Sequence, residues 1–265
     1  MTVGVSTACL YPMETTDALI KLVKNGVECV EIFFNTLSEI QKPYTTQLRS
    51  ILNEYGARVK SIHPFTSGYE PYLIFSDYEK RYRETREFYR QYFECAAYLG
   101  AEIVVLHGDR KTYLNGISDE LYFERFSELA KIGREYGVTL AQENVNMFRS
   151  QRPDFIRKMK EYLGDEASFV FDIKQAVRAG CDPVEMCKAM GDRLVHVHIN
   201  DNDTSHDCLL PGRGKTDYNE ILEVLKSNGY DGDFIIEVYR SNYSQLSELL
   251  EAYEYVKKTA GKSSC

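Results

Sequence analysis

Glu143, Asp172, His198 and Glu237 close four short apolar runs, VTLAQE, SFVFD, LVHVH and DFIIE, at spacings of 29, 26 and 39 residues. Three carboxylates and one imidazole form an oxygen and nitrogen donor set without thiolate, which suits Mn²⁺, Mg²⁺, Co²⁺ or Zn²⁺. Gathered in one place they carry a threefold formal negative charge. That charge would drive them apart without a cation, so the pattern points to one divalent metal. A lone Glu at a strand end is ordinarily a cap or a surface residue; four such residues at successive strand ends form a pattern. His63 in SIHP and His107 in VLHG close two earlier runs. Each reads as a hydrogen-bonding histidine under a loop, as a substrate-binding group, or as a ligand of a second metal shared with Glu143. His196 sits one pleat deeper and reads as a core residue, and Glu31 reads as an inward polar group near the site.

Residues so far apart meet only if the strands that end on them lie side by side in a parallel sheet. Eight Val/Ile-rich runs answer that requirement, at 3–8, 28–33, 58–63, 102–107, 138–143, 168–172, 194–199 and 233–239. Their nearly continuous apolar character is that of strands buried on both faces. Helical patterns lie between them, at 14–25, 44–55, 78–99, 118–136, 152–163, 175–190, 217–228 and 242–260. Gly26, Gly56, Gly100, Gly137 and Gly229 each stand where a helix stops before a strand, because glycine accepts the positive φ of a C-terminal cap. Ser118 and Thr216-Asp217 look like helix starts. Eight β/α units without a linker or a composition shift predict a single α/β domain, a (β/α)₈ TIM barrel over 1–260, with a short tail at 261–265. An open doubly wound sheet is the alternative. The longest βα connections, 64–77 and 200–215, fall where a barrel carries its substrate site.

The 265 residues carry a net charge of −8 and a pI near 5.3, which disfavours docking on nucleic acid. No apolar run approaches the length of a membrane span. The opening MTVGVSTACLYP lacks the basic region and long apolar stretch of a secretory leader. Seven scattered cysteines without a C-x-x-C pair imply reduced thiols and a cytoplasmic location. The aromatic residues Phe33, Phe34, Phe65, Tyr69, Tyr72 and Phe148 fall in or near βα ends, where they would wall a binding pocket or pack the core. PGRG at 211–214 lacks the GK[ST] context of a phosphate loop, and its glycines read as letting backbone approach the metal site.

With these residues in hand, the chain resembles the xylose-isomerase-like TIM-barrel superfamily, which holds sugar and inosose isomerases, ketose 3-epimerases and class II apurinic endonucleases of the endonuclease IV type. SIHP, VVLHG, QEN, FDI, HVHIND, PGRG and IIEV carry the resemblance over almost the whole chain. It implies that Glu143, Asp172, His198 and Glu237 are the shared metal quartet. It implies also that Glu143 and Glu237 act as acid and base on a ketose whose carbonyl the metal polarises. The endonuclease pattern would place His63 and His107 with Glu143 in a first zinc site. That pattern departs at its third site: a family His is Gln175 here, and the Asp and His expected before PGRG are His206 and Cys208. The epimerases also hold a His at 175 and tend to hold an Arg at 208. Gln175 and His206 thus become substrate-binding candidates, and Arg110 and Arg213 read equally as cations for a phosphate or carboxylate or as surface charges.

The expectation is a metal-dependent isomerase or epimerase of a sugar, sugar phosphate or inosose-type ketone, working by proton abstraction next to a metal-polarised carbonyl. The alternatives are a zinc-dependent phosphodiester hydrolase, a dehydratase of a polyhydroxy ketone, or a non-catalytic sugar-binding barrel. A small carbohydrate is the expected partner, with neither nucleic acid nor membrane, and a homo-oligomer is compatible with the chain.

Overall fold

The structure, a computed structural model, describes residues 2–110 and 117–262. Eight parallel strands close into one barrel in chain order: β1 (Val3–Ser6), β2 (Cys29–Phe33), β3 (Arg58–His63), β4 (Ile103–Leu106), β5 (Thr139–Glu143), β6 (Phe169–Asp172), β7 (Leu194–Ile199) and β8 (Phe234–Ile236). Pairing of Val3 with Phe234 and Val5 with Ile236 joins the last strand to the first, so the open sheet is excluded. The helices that follow are α1 (Thr15–Val23), α2 (Lys42–Tyr55), the single turn α3 (Glu70–Leu73), α4 (Glu79–Leu99), α5 (Asp119–Glu135), α6 (Pro153–Leu163), α7 (Ile173–Arg178), α8 (Pro183–Met190), α9 (Tyr218–Ser227) and α10 (Leu246–Lys262).

Several boundaries differ from the expected ones. The ladders of β4 and β8 stop at Leu106 and Ile236, which leaves His107 and Glu237 one residue beyond their strands. The helix expected over 175–190 is two helices, because Gly180 takes a φ of 65° and Pro183 has no amide to continue the turn. The last helix begins at Leu246 rather than 242, after a 3₁₀ turn at Arg240–Asn242. Of the tail placed at 261–265, residues up to Lys262 continue that helix and 263–265, Cys265 included, lie outside the described residues. The five predicted glycine stops all hold, with φ between 65° and 84°. Ser118 caps α5 by accepting from the Leu121 amide, while α9 is capped by Asp217, not Thr216.

Strand pairing decides which way the site residues face. Glu143 pairs with Val170, two residues before Asp172; Asp172 pairs with His198; and His198 pairs with Ile235, two residues before Glu237. Every step around the barrel is level or even-numbered, so all four side chains share one face of the sheet. Ile103, Val105, Ala141 and Val170 occupy that face lower down and fill the barrel interior. Their alternates, among them Val104, Leu140, Phe169, Phe171, Val197 and Phe234, pack outward against the helices.

Gly4 of β1 is where this filling is tightest. A Cβ there would lie 2.5 Å from Ile235 Cδ1 and 2.6 Å from the Cys29 carbonyl oxygen. Gly4→Ala is expected to lower stability by about 1–3 kcal/mol through overpacking, read as a lower thermal midpoint. An unchanged midpoint would show that the barrel floor yields at no cost.

Candidate metal centre and active site

The quartet converges at the C-terminal mouth. Glu143, Asp172 and His198 are fully buried and Glu237 nearly so. Ligand atoms from all four lie within 4.8 Å of one another. His198 Nδ1 is buried without a hydrogen-bond partner and faces Glu237 Oε2 at 3.5 Å, Glu143 Oε1 at 3.6 Å and Asp172 Oδ2 at 3.7 Å. Ligands bound tetrahedrally at about 2.0–2.2 Å stand about 3.3–3.6 Å apart. An orphaned imidazole nitrogen facing three carboxylate oxygens at nearly those separations fits a divalent ion.

His198 is fixed from behind by Glu31, whose Oε2 lies 3.0 Å from His198 Nε2. The same oxygen accepts from Ser61 Oγ at 2.8 Å and lies 3.5 Å from His196 Nε2. With one proton on Nε2 toward Glu31, Nδ1 faces the quartet, where a bound ion would replace the second proton that the carboxylates otherwise hold on it. His196 is therefore part of this support rather than a plain core residue; its Nε2 also meets Ser61 Oγ at 3.1 Å. Asp172 is held by Asn144, which bonds its backbone N and O at 2.8 and 2.9 Å. Its Oδ1 accepts from Asn200 Nδ2 and the Gln175 amide at 3.1 and 3.2 Å.

The second expected pair is also brought together. His63 Nε2 and His107 Nε2 lie 3.0 Å apart, with Glu143 Oε2 at 3.7 and 3.2 Å respectively. His63 Nδ1 is tied to Ser67 Oγ at 3.1 Å. Phe33 and Phe148 flank this pair, with ring centroids 4.7 Å from His63 and 5.7 Å from His107. Phe34 is buried in the core and Phe65 packs against Phe88 and Tyr92, whereas Tyr69 and Tyr72 are exposed.

The remaining candidates do not join the quartet. Gln175 Oε1 accepts from the Asn146 amide at 3.1 Å and supports the loop after β5. His206 is exposed and pairs with Asp203. Arg213 reaches outward to Glu251 on α10 at 3.2 Å. Arg110 stacks its guanidinium 5.4 Å from the Phe148 ring centre, at the edge of the histidine side. PGRG does not lend backbone to the metal site. It wraps the Asp201 carboxylate, which accepts from the amides of Asn202, Gly212, Gly214 and Thr216 at 2.8–3.0 Å. Cys208 is buried and its thiol is pushed up to about 11 by burial, which leaves no reactive thiolate.

Sequence reading missed Lys174 altogether. Its Nζ donates to both Asp172 Oδ2 and Glu237 Oε2. Lys174 is the second residue of α7 and precedes the helix expected from 175, and only the fold turns it inward.

The charges shift as this crowding demands. Burial alone would raise Glu143, but hydrogen bonds with His107, His198 and His63 hold it well below the usual glutamate range. Burial likewise opposes ionisation of Asp172, and Lys174 and His198 outweigh it and lower it. For Glu237 burial prevails over Lys174 and His198 and its pKa is raised. Burial opposes a charged His198, yet Glu31 and Glu237 hold it well above the usual histidine range. The mouth is thus short of positive charge, which a divalent ion would supply.

Glu70 secures the histidine side. Its Oε2 accepts from the Gly108 amide at 2.6 Å, next to His107, and its Oε1 accepts from Tyr89 Oη at 2.9 Å. Gly108 has a φ of 92°, and a Cβ there would meet Tyr122 Oη at 2.1 Å, so the turn requires glycine. Burial pushes Glu70 from its ordinary 4.5 up to about 8. The folded chain keeps this proton where the unfolded chain has lost it, so stability falls as pH rises from about 4.5 to about 8. Glu70→Gln carries no such proton and is expected to gain thermal midpoint relative to wild type across that window. Parallel midpoint profiles in a pH series would refute the assignment.

The family model described as "Xylose isomerase-like TIM barrel" matches residues 19–259. An uncharacterized protein of Methanocaldococcus jannaschii is 28% identical over 250 residues, covering 89% of this chain and 83% of its own. The inosose isomerase of Bacillus velezensis is 27% identical over 241 residues, covering 84% and 83%. Among solved structures, a D-tagatose 3-epimerase-like protein superimposes with a TM-score of 0.79 at 24% identity, over 100% of this chain and 98% of its own. The IolI protein with a bound zinc atom does so with a TM-score of 0.77 at 20% identity, over 99% and 98%. These structural likenesses show the fold.

Proposed function

The chain belongs to the xylose isomerase-like TIM-barrel family, and within it we propose a metal-dependent isomerase or epimerase of a sugar, a sugar phosphate or an inosose-type ketone. The observation that carries this reading is the buried His198 Nδ1 aimed at three carboxylate oxygens. Glu143, Asp172, His198 and Glu237 would hold one divalent ion of the Mn, Mg, Co or Zn type. That ion would polarise a substrate carbonyl and its neighbouring hydroxyl. The names of the inosose isomerase and the D-tagatose 3-epimerase-like relatives support the same class of chemistry.

Glu143 and Glu237 are the two carboxylates placed to move protons. One takes the proton from the carbon next to the carbonyl, and the electron pair passes to the carbonyl oxygen as an enediolate. A carboxylate then returns a proton to the same carbon or its neighbour, which yields an epimer or an isomer. Glu143 is suited to accept because its buried carboxylate is held ionised, with Oε2 turned toward His107 and His63 at 3.2 and 3.7 Å. His63 and His107 face the same oxygen and would bind substrate hydroxyls. The free cysteines among the described residues, Cys9, Cys29, Cys95, Cys181, Cys187 and Cys208, fit the reducing cytoplasm in which we place the protein. Among the described residues no helix is long and apolar enough to cross a membrane.

The test is exchange of substrate C–H for deuterium in D₂O, with Mn²⁺ supplied, across a panel of ketoses and inososes. Exchange with at least one member is expected, falling by about 10²–10⁴-fold in Glu143→Gln or Glu237→Gln. No exchange across the panel would overturn the reading, and a product lighter by one water would redirect it to a dehydratase.

A metallohydrolase is the second reading, favoured by one observation: the His63, His107 and Glu143 cluster could take a second ion. Nicking of abasic duplex DNA would select it. Gln175 and His206 weigh against it, since both are engaged away from the quartet.

Glu31 offers a test of the support behind the metal. Glu31→Gln keeps shape but loses the charge that orients His198, and divalent metal affinity is expected to fall by about 10–100-fold. Unaltered affinity in a metal titration would show that Glu31 is only a buried filler.

A further inference from the structure

Lys174 stands two residues beyond Asp172, and its buried side chain turns back over the strand ends. Its ammonium donates to Asp172 Oδ2 and to Glu237 Oε2, with the Tyr239 ring centre 5.8 Å away. Those two oxygens are the ones that face His198 Nδ1 at 3.7 and 3.5 Å. The other oxygen of Asp172, Oδ1, is already committed to Asn200 Nδ2 and the Gln175 amide. A divalent ion that draws on Asp172 therefore needs the oxygen that Lys174 holds. An ammonium has three donors and no lone pair, so it cannot become a fellow ligand. It also repels the ion, strongly so in a buried pocket.

We infer that Lys174 is a built-in competitor for the divalent ion, pairing with the ligand oxygens of Asp172 and Glu237 and giving them up when metal binds. The inference rests on the metal reading of the quartet. In this arrangement the lysine keeps two buried carboxylates together at ligand spacing and offsets part of their charge. The same contact sets the metal affinity of the site, because each ion bound must first displace the ammonium. Tyr239 lies beside Lys174 with its ring toward the ammonium, and it offers an aromatic face to the displaced cation.

The experiment titrates Mn²⁺ into the metal-stripped full chain by calorimetry, for wild type, Lys174→Met and Lys174→Arg. Lys174→Met is expected to bind Mn²⁺ about tenfold more tightly or better, since the competing charge is gone. Lys174→Arg, which keeps the charge, should stay near wild type. Equal or weaker binding by Lys174→Met overturns the inference. If Lys174→Met binds Mn²⁺ and wild type does not, the competition stands and the metal-dependent activity falls; if neither binds, both fall. A measurement on the wild-type protein covers the case in which Lys174→Met does not fold. The ¹⁵Nζ resonance of Lys174, assigned by its loss in Lys174→Arg, should move on saturation with Zn²⁺, and an unmoved resonance refutes displacement.

Discussion

Four carboxylates buried at one end of a barrel set the terms for everything around them. An ionised carboxylate taken from water into an apolar interior is untenable unless it is paired and hydrogen-bonded. Each of the four is met differently. Glu31 has His198, His196 and Ser61. Asp172 has Asn200, the Gln175 amide and Lys174. Glu143 is surrounded by His63, His107 and His198. Among the described residues Glu237 has Lys174 as its one close cation besides His198, and it is the member whose pKa burial succeeds in raising. The least compensated carboxylate is also the least buried of the quartet, at the rim where solvent can share its charge.

Holding such a cluster depends on backbone register as much as on the ligands themselves. A slip of one residue between β6 and β7 would turn His198 away from Asp172 and into the helix layer. Buried amides guard against that slip. Asn144 bridges from β5 to the backbone of Asp172 on both its N–H and its C=O. Gln142 donates to the carbonyls of Leu106, His107 and Glu143, which binds the ends of β4 and β5 into one unit. Asp201 does the same for the loop after β7, with four amides turned onto one carboxylate. The bonds that Asn144, Gln142 and Asp201 make here run to backbone groups rather than to ligand atoms. They nonetheless fix where those atoms stand.

What could be read in advance follows from which signals are local. Strand and helix succession, the glycine stops and the convergence of Glu143, Asp172, His198 and Glu237 all rest on period-two alternation and on what lies at each strand end. Closure of the barrel followed from counting units. Signals that depend on long-range packing were not legible. Lys174 falls between the strand expected to 172 and the helix expected from 175, and nothing nearby marks its inward turn. Asp201 and PGRG read as separate features because the hydrogen bonds joining them cross a loop of ten residues or so, with no periodicity to betray them. Arg213 within PGRG reads equally as a cation for substrate or as a surface charge, and Glu251 on α10 draws it outward. The break between α7 and α8 was visible in Gly180 and Pro183, but a continuous apolar pattern across them concealed it.

The pocket is also polarised across its width, and this bears on what can bind there. On the β3–β4 side stand two imidazoles, which can each donate or accept a hydrogen bond. On the β6–β8 side stands an ammonium, which can only donate. Glu143 is common to both clusters, since its two oxygens face the histidine pair and His198 separately. A polyhydroxy ketone bound between them would meet an ammonium paired with carboxylates on one flank and two imidazoles on the other, so its two ends would not be interchangeable. The resemblance to ketose epimerases implies a sugar-contacting histidine at 175, but here Gln175 is committed to the Asn146 backbone. The polar group that β6 and its helix present to the site is Lys174 instead. A positive group at that flank favours substrate oxygens that carry or develop negative charge.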